Sequence, residues 1–167
     1  RLREFHQFGV EIFGSHSVTA DAEIIALAHD FLTRMGITDV ELHINSVGCR
    51  ECRPVYKKAL QDFLRPHLNQ LCETCQSRFE TNPMRILDCK SEEDQKIVKD
   101  APVMLDYLCD DCRKSFEELK EMLTAMDIPF VVDDKIVRGL DYYTKTAFEF
   151  VSTRIGAQGT VCGGGRY

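Results

Sequence analysis

The sequence is short of the features that mark several specialised protein classes. None of its apolar runs is long enough to cross a membrane, and its start does not resemble a signal peptide. Basic residues are not in excess: the formal net charge is −6, which argues against a generally basic nucleic-acid coat but permits a local basic site. With 167 residues, 44% of them hydrophobic, the chain is long enough for one core or for a core plus a small insert.

Strand patterns are also scarce in the middle of the chain, from Cys49 to Ala125, where helical spacing dominates. Both flanks contain segments rich in β-branched and aromatic residues with alternating apolar positions. We therefore predict an α+β fold, in which an antiparallel sheet with a flanking helix is interrupted by a small helical insertion. The predicted division is 1–47 for the first part of the core, 48–126 for the insertion and 127–167 for the rest of the core.

The first predicted strand, Arg1 to Phe13, has a polar face. Because residues two apart on a strand share a face, four polar side chains would lie in a row: Arg1, Arg3, Gln7 and Glu11. Arginines suit an anion, and a glutamate beside a glutamine suits an amine. The alternative is a solvated sheet face without a ligand.

A second predicted strand, Lys135 to Phe150, carries an unusual set of functional side chains: Arg138, Asp141, Tyr142 and Tyr143. Neighbouring residues on a strand face opposite sides, so one tyrosine could line a site while the other packs. The alternative is an edge strand whose outer face is simply polar.

Eight cysteines are many for this chain, and six of them fall in Cys-x-x-Cys pairs: Cys49/Cys52, Cys72/Cys75 and Cys109/Cys112. Without a secretion signal, this spacing favours metal binding over a disulfide framework.

A structural zinc takes four ligands, so the paired cysteines cannot all serve one ion. Because the insertion leaves the core at Gly48 and returns near Asp127, the first pair should lie at its base. Helical chain would carry the second pair up to about 28 Å away, and the last helix would hold the third pair roughly 20 Å from the base. We therefore predict one zinc ion, bound by Cys72, Cys75, Cys109 and Cys112. Cys89 is the expected substitute if one of these four is not a ligand. The alternative is that the cysteines are reduced and bind no metal.

Three long motifs occur in order along the chain: REFHQFGVEIFG at 3–14, IVRGLDYYTKTAFE at 136–149 and GTVCGGGRY at 159–167. With LHINSVG, NPMRILDCK and APVMLDYL between them, they resemble the bacterial histidyl-tRNA synthetases, a family of class II aminoacyl-tRNA synthetases. The first motif is similar to the second half of class II motif 2, and the other two are similar to the family's histidine-specific signatures. The resemblance covers essentially the whole chain.

This resemblance implies that histidine is activated with ATP, accompanied by Mg²⁺, and is then transferred to tRNA(His). It makes Arg138 the catalytic arginine at the α-phosphate and Arg1 an ATP-site residue. Gln7 and Glu11 would hold the amino group of histidine. The histidine ring would be contacted by Tyr143 and Tyr167, with Tyr142 nearby.

The resemblance also implies a cytoplasmic homodimer without a membrane partner, whose dimer-forming motif 1 would precede Arg1. Motif 3 and the anticodon-binding domain would follow Tyr167, so we expect the middle of a catalytic domain that is inactive alone. The insertion would lie over the tRNA acceptor stem. The densest group of cationic residues in the insertion, which could contact RNA, consists of Arg50, Arg53, Lys57 and Lys58. The alternative is that these residues form the solvated start of a helix.

Two other functions compete with this interpretation. A histidyl-synthetase-like regulatory subunit of ATP phosphoribosyltransferase would bind histidine without charging tRNA, but the intact RGLDYY run and the long insertion argue against it. A free-standing zinc-stabilised interaction module would not need the polar strand faces.

Overall fold

The computed structural model describes residues 3–137, 142–152, 154 and 159–167. Its α-helices are α1 (Val18–Arg34), α2 (Cys52–Leu64), α3 (Glu73–Thr81), α4 (Met84–Leu87), α5 (Glu92–Val98) and α6 (Asp110–Ala125). Its strands are β1 (Val40–Ser46), β2 (Phe130–Val132), β3 (Thr144–Ser152) and β4 (Thr160–Arg166). Two 3₁₀ turns lie between helices, at Arg65–Gln70 and Met104–Tyr107. No helix in this described part of the chain combines the length and apolar character that a membrane crossing requires.

The four strands form one mixed sheet in the order β2-β1-β3-β4. β3 is antiparallel to both of its neighbours, β1 and β4, whereas β2 joins the other edge of β1 in parallel. The register places Ile44 opposite Phe148 and Leu42 opposite Phe150, and all four apolar side chains are buried. The predicted α+β fold is confirmed, with one parallel pair in place of a purely antiparallel sheet.

Helix α1 has clear start and stop signals in the sequence. The Oγ of Ser17 accepts a hydrogen bond from the backbone N–H of Thr19 at 3.2 Å and so caps the first turn. The helix ends before Gly36, whose φ of 76° lies in the left-handed region that glycine adopts readily. Ile25 and Leu32 are buried on the face that covers the sheet.

Helix α6 packs on the sheet beside α1. Phe116, Leu119 and Leu123 belong to the same buried cluster as Ile25 of α1 and the apolar face of the sheet. The segment predicted as an insertion, 48–126, therefore contains two kinds of structure. Its earlier helices have a core of their own, whereas α6 contributes to the core of the sheet.

The earlier helices, α2 to α5, enclose a second buried cluster. Tyr56, Leu60 and Leu64 recur at four-residue spacing on one face of α2, where all three are fully buried. They share this cluster with Phe79 of α3 and Ile86 of α4. We call α2 to α5 and their connections the helical segment.

The start of the chain differs from its prediction as a strand. Residues 3–13 form no regular element and make no backbone hydrogen bond with another described segment. A strand needs a neighbour that supplies the other half of the ladder, which an alternating sequence cannot provide by itself. Phe5 and Phe13 are exposed, while Phe8 stacks on Phe31 of α1 with ring centroids 5.1 Å apart.

The second polar strand begins later than predicted. β3 starts at Thr144, so Tyr142 and Tyr143 precede the strand. The glycine run of the last motif lies within a strand, because β4 continues through it to Arg166.

Candidate functional site

Three tyrosines meet where β3 begins and β4 ends. The ring centroids of Tyr142 and Tyr143 are 5.0 Å apart, and those of Tyr142 and Tyr167 are 5.4 Å apart in an edge-to-face arrangement. The antiparallel register explains the meeting, because it pairs Thr144 with Arg166, the neighbours of Tyr143 and Tyr167. The structure thus brings together the three tyrosines that the sequence singled out.

The two adjacent tyrosines have different surroundings. Tyr143 is half-buried and packs against a small apolar cluster formed by Val47, Ile136 and Ala147. Tyr142 is exposed. Gly165 makes room for Tyr143, because a Cβ at that glycine would come within 2.8 Å of Cδ1 of the ring.

Glu11 approaches the same tyrosines from the start of the chain. The phenolic hydroxyl of Tyr167 donates a hydrogen bond to Oε1 of Glu11 at 2.8 Å. This bond raises the pKa of Tyr167, because a nearby carboxylate favours the neutral phenol. The side chain of Gln7 is exposed and makes no hydrogen bond with a described residue. Arg1 and Arg138, the predicted ATP-site residues, lie outside the described residues.

Arg166 supports this group, although the sequence analysis assigned no role to it. Its guanidinium donates to the backbone carbonyl of Ser15 at 2.9 Å and to that of Ser17 at 2.6 Å. These bonds hold the end of β4, and with it Tyr167, against the start of α1. Arg166 belongs to the last motif, but no sequence signal indicated that its partners lie so far away in the chain.

Four cysteines converge where the helical segment joins the sheet: Cys49, Cys52, Cys109 and Cys112. Their sulfur atoms all lie within 4.8 Å of one another, and all four are free cysteines. The Sγ of Cys49 lies 3.5 Å from that of Cys52 and 3.8 Å from that of Cys109. Burial raises the pKa of Cys112, whereas at Cys49 burial is outweighed by backbone hydrogen bonds that lower the pKa to about 7. We call these four residues the first cysteine group.

A second group lies inside the helical segment and consists of Cys72, Cys75, Cys89 and Asp94. One donor atom of each lies within 4.8 Å of the others, and the sulfur atoms of Cys72 and Cys89 are 3.9 Å apart. Asp94 is 1% exposed, and it accepts a hydrogen bond from the backbone N–H of Cys72 at 3.0 Å. The sequence analysis missed Asp94, because an aspartate within the acidic run SEED gives no sign of burial. We call these four residues the second cysteine group.

The structure does not bring together the four predicted zinc ligands Cys72, Cys75, Cys109 and Cys112. That prediction was wrong because it treated α6 as a helix that runs outward within the insertion. Since α6 packs along the sheet instead, its first turn meets Cys49 at the base. The predicted substitute, Cys89, does lie with the second pair.

The cationic group at the start of α2 is partly engaged with the protein itself. Arg53 donates from Nε to the carbonyl of Val47 at 3.1 Å and from Nη2 to the carbonyl of Tyr143. Arg50 and Lys58 are exposed. Arg53 therefore links the helical segment to the tyrosine group.

Comparison with known proteins identifies relatives over the whole chain. The model of the histidyl-tRNA synthetase family matches residues 1–167. A histidine–tRNA ligase of Caldanaerobacter subterraneus subsp. tengcongensis is 60% identical over all of this chain, which spans 40% of that relative's length.

Two solved structures resemble this chain to different degrees. The apo histidyl-tRNA synthetase of S. aureus matches with a TM-score of 0.71 at 38% identity, over 92% of this chain and 37% of that one. A Bacillus halodurans structure, described as an ATP phosphoribosyltransferase regulatory subunit/histidyl-tRNA synthetase, has a TM-score of 0.50 at 21% identity, over 92% of this chain and 44% of that one. This second likeness shows a shared fold alone. On the match that extends from its first residue to its last, the chain belongs to the histidyl-tRNA synthetase family.

Proposed function

We propose that the protein activates histidine with ATP and attaches it to tRNA(His), and that this chain contributes the histidine-binding part of the active site. The observation that carries the proposal is the group formed by Glu11 and the three tyrosines. A carboxylate and several phenolic hydroxyls in one place suit a ligand with both an amine and a polar ring.

Each end of histidine would have its own partners. Glu11 would supply a negative charge for the α-amino group, and Gln7 would add an amide to the same end of the ligand. The phenols of Tyr143 and Tyr167 donate to or accept from the ring nitrogens, with Tyr142 nearby. A site that relies on such hydrogen bonds rejects other amino acids strongly, because a mismatched side chain leaves polar groups unpaired.

Activation itself needs positioning and positive charge. The histidine carboxylate, already ionised at neutral pH, attacks the α-phosphate of ATP and pyrophosphate leaves, so no general base is required. Arg138 would stabilise the charge that grows on the phosphoryl oxygens, and Arg1 would contact ATP, with Mg²⁺ accompanying the nucleotide. We also propose that the protein transfers the activated histidine to tRNA(His), that it is a homodimer and that it is located in the cytoplasm.

The decisive experiment is histidine-dependent exchange of labelled pyrophosphate into ATP by the natural full-length protein. We expect exchange with histidine and none with other amino acids. A regulatory subunit of ATP phosphoribosyltransferase would bind histidine without exchange, and that result would overturn the proposal.

The residues of the proposed site can be tested in the same assay. Tyr167→Phe removes the hydroxyl that meets Glu11 and should raise the KM for histidine about tenfold, the equivalent of one hydrogen bond to a charged group. Tyr107→Phe is the matched control, because Tyr107 packs on Tyr56 and on the other buried cluster and is not one of the tyrosines of the proposed site.

A further inference from the structure

We propose that two zinc ions are bound, one by each cysteine group. The first ion has four thiolate ligands: Cys49, Cys52, Cys109 and Cys112. The second ion has three thiolates and one carboxylate: Cys72, Cys75, Cys89 and Asp94.

Distances in the first cysteine group match a zinc tetrahedron. With Zn–S bonds of about 2.3 Å, neighbouring sulfur atoms in a tetrahedron lie about 3.8 Å apart. The Sγ of Cys49 lies 3.5 Å from that of Cys52 and 3.8 Å from that of Cys109. A disulfide would need about 2.05 Å. Four thiols without a metal ion would gain little stability from lying this close together, because S–H is a weak hydrogen-bond donor.

The backbone around the first group favours thiolates. The N–H of Glu51 donates to Sγ of Cys49 at 3.4 Å, and the N–H of Cys109 donates to Sγ of Cys52 at 3.1 Å. Cys52 and Cys112 lie in the first turns of α2 and α6, where the helix dipole stabilises negative charge. Hydrogen bonds of this kind orient metal ligands from outside the coordination shell.

The second group adds a buried carboxylate oxygen that needs a partner. Oδ1 of Asp94 accepts the backbone N–H of Cys72, whereas the buried Oδ2 accepts no hydrogen bond of good geometry from a described residue, and the carboxylate is otherwise surrounded by the thiols of Cys72, Cys75 and Cys89. Because thiols are weak donors, they satisfy a buried carboxylate poorly, and a cation bound between them would satisfy it fully. The 3.9 Å between the sulfur atoms of Cys72 and Cys89 again matches the edge of a zinc tetrahedron.

Zinc fits both ligand sets better than other ions do. Thiolate-rich tetrahedral sites select zinc or iron, whereas magnesium and calcium prefer oxygen ligands. Zinc also accepts an aspartate oxygen as its fourth ligand. Because protein atoms fill all four positions at both sites, the ions would be structural and would present no open position for a reaction.

The two ions differ in their relation to the proposed histidine site, and this part of the inference rests on the proposed function. Arg53 directly follows Cys52 and donates to the carbonyl of Tyr143. The first ion would therefore fix the backbone that holds Arg53, a positioning residue for Tyr143. The second ion would lie at the starts of α3 and α5, whereas Arg53, with its hydrogen bond to Tyr143, directly follows a ligand of the first ion.

The first test counts metal in the natural full-length protein, purified under reducing conditions with zinc in the medium and then dialysed. Elemental analysis should give two zinc per chain, and a mercurial reagent that blocks thiols should release both. One zinc, none, or iron in place of zinc would overturn the proposal. This count does not depend on activity, so it remains informative even if pyrophosphate exchange fails.

Variants assign each ion to its group. Cys49→Ser with Cys109→Ser should leave one zinc, and Cys72→Ser with Cys89→Ser should also leave one. Cys162→Ser is the matched control, because that cysteine of β4 belongs to neither group, and it should retain two. Loss of both ions from either double variant would contradict two independent sites.

Cobalt tests the coordination without removing a ligand. The cobalt-substituted protein should show the intense visible bands of tetrahedral Co²⁺ and thiolate charge-transfer absorption. Asp94→Cys should keep both ions and increase the charge-transfer absorption, because a fourth thiolate joins the second site. An unchanged spectrum in this variant would remove Asp94 from the ligand set.

Kinetics separate the two roles. Loss of the first ion should raise the KM for histidine at least severalfold, with a smaller effect on kcat, and Arg53→Ala should do the same while retaining both zinc ions. Loss of the second ion should leave this KM within about twofold of the original. Equal effects of the two losses on KM would refute the link between the first ion and Tyr143.

Discussion

Arg166 and Asp21 form a nearly buried ion pair that fastens the last strand to the first helix. Nη2 of Arg166 lies 2.9 Å from Oδ1 of Asp21, and Nε donates to Oδ2 at 3.2 Å. The two side chains are 14% and 11% exposed. The hydroxyl of Thr146 also donates to Oδ2 of Asp21 at 2.7 Å, so α1, β3 and β4 meet at one carboxylate.

Asp21→Ala should lower the free energy of unfolding by about 3 kcal/mol, because it leaves the arginine charge buried without its partner. Urea denaturation measures the change. Asp30→Ala is the control: its pair with Arg34 is within one helix and both side chains are mostly exposed, so its loss should cost less than about 0.5 kcal/mol. Equal losses in the two variants would show that the Arg166 pair does not stabilise the fold.

His43 should make the free energy of unfolding fall as the pH rises above 6.5. Burial lowers its pKa, but hydrogen bonds to Asp133 and Glu41, both 2.9 Å long, outweigh burial and raise the pKa above 6.5. The protonated imidazole is thus favoured by folding, and its contribution is complete below pH 6.5 and is lost as the pH rises through the folded-state pKa. Free energies of unfolding between pH 5.5 and 8.5 should decline accordingly, and His43→Gln should abolish that decline. An unchanged slope in the variant would assign the pH dependence to other groups.

Glu11→Gln should weaken the binding of both histidine and histidinol by about tenfold or more, because a neutral amide no longer balances the charge of the amine. Histidinol keeps the amino group and lacks the carboxylate, so it isolates the contact in question. Isothermal titration with both ligands measures the effect. If histidinol bound as well as before, the amine would have another partner.

Arg138→Ala should reduce the rate of histidine activation by about 10²–10³-fold, with little loss of histidine affinity, because the arginine meets charge that grows in the transition state. Pyrophosphate exchange and equilibrium binding give the two quantities separately. Comparable losses in both would remove Arg138 from the catalytic role.

Gly165→Ala should destabilise the protein by about 1–3 kcal/mol and raise the KM for histidine. The added Cβ would lie 2.6 Å from the carbonyl oxygen of Thr146 and 2.8 Å from the ring of Tyr143, so β4 and the ring must both shift. Gly9→Ala is the stability control, since a Cβ there meets no atom within 4 Å. Equal stability of the two variants would show that the contact tolerates a methyl group.

Local patterns in the sequence predicted the elements that depend on local chemistry. The apolar spacing of α1 and the left-handed position of Gly36 could be inferred from the chain alone, and so could the alternation of β1. Residues 3–13 have an equally good alternation, yet they pair with no described strand. β1 is a strand because β2 and β3 pair with it. Both of these neighbours are distant from β1 in the sequence, and the periodicity of one segment cannot indicate whether such a neighbour exists.

The candidate sites also contain parts that the sequence predicted and parts that it did not. The family signatures pointed to Glu11 and the three tyrosines, and the structure brings these residues together. The grouping of the cysteines depended on where α6 packs. Its apolar stripe is compatible with either core, so the choice between Cys49 and Cys72 as neighbours of Cys109 is a tertiary outcome. Asp94 and the partners of Arg166 likewise depend on chain segments that the sequence does not place side by side.

The 3.8 Å between the sulfur atoms of Cys49 and Cys109 has a consequence for how this fold can change over time. The chain leaves the sheet near Cys49 and returns near Cys109, at the same point. The helices between these two residues therefore form an insertion that begins and ends in one place and has its own buried cluster. A short turn could bridge the two ends without disturbing β1 or α6. The part of the helical segment that follows Arg53 can therefore be shortened, enlarged or exchanged while the sheet stays intact and Arg53 keeps its hydrogen bond to Tyr143.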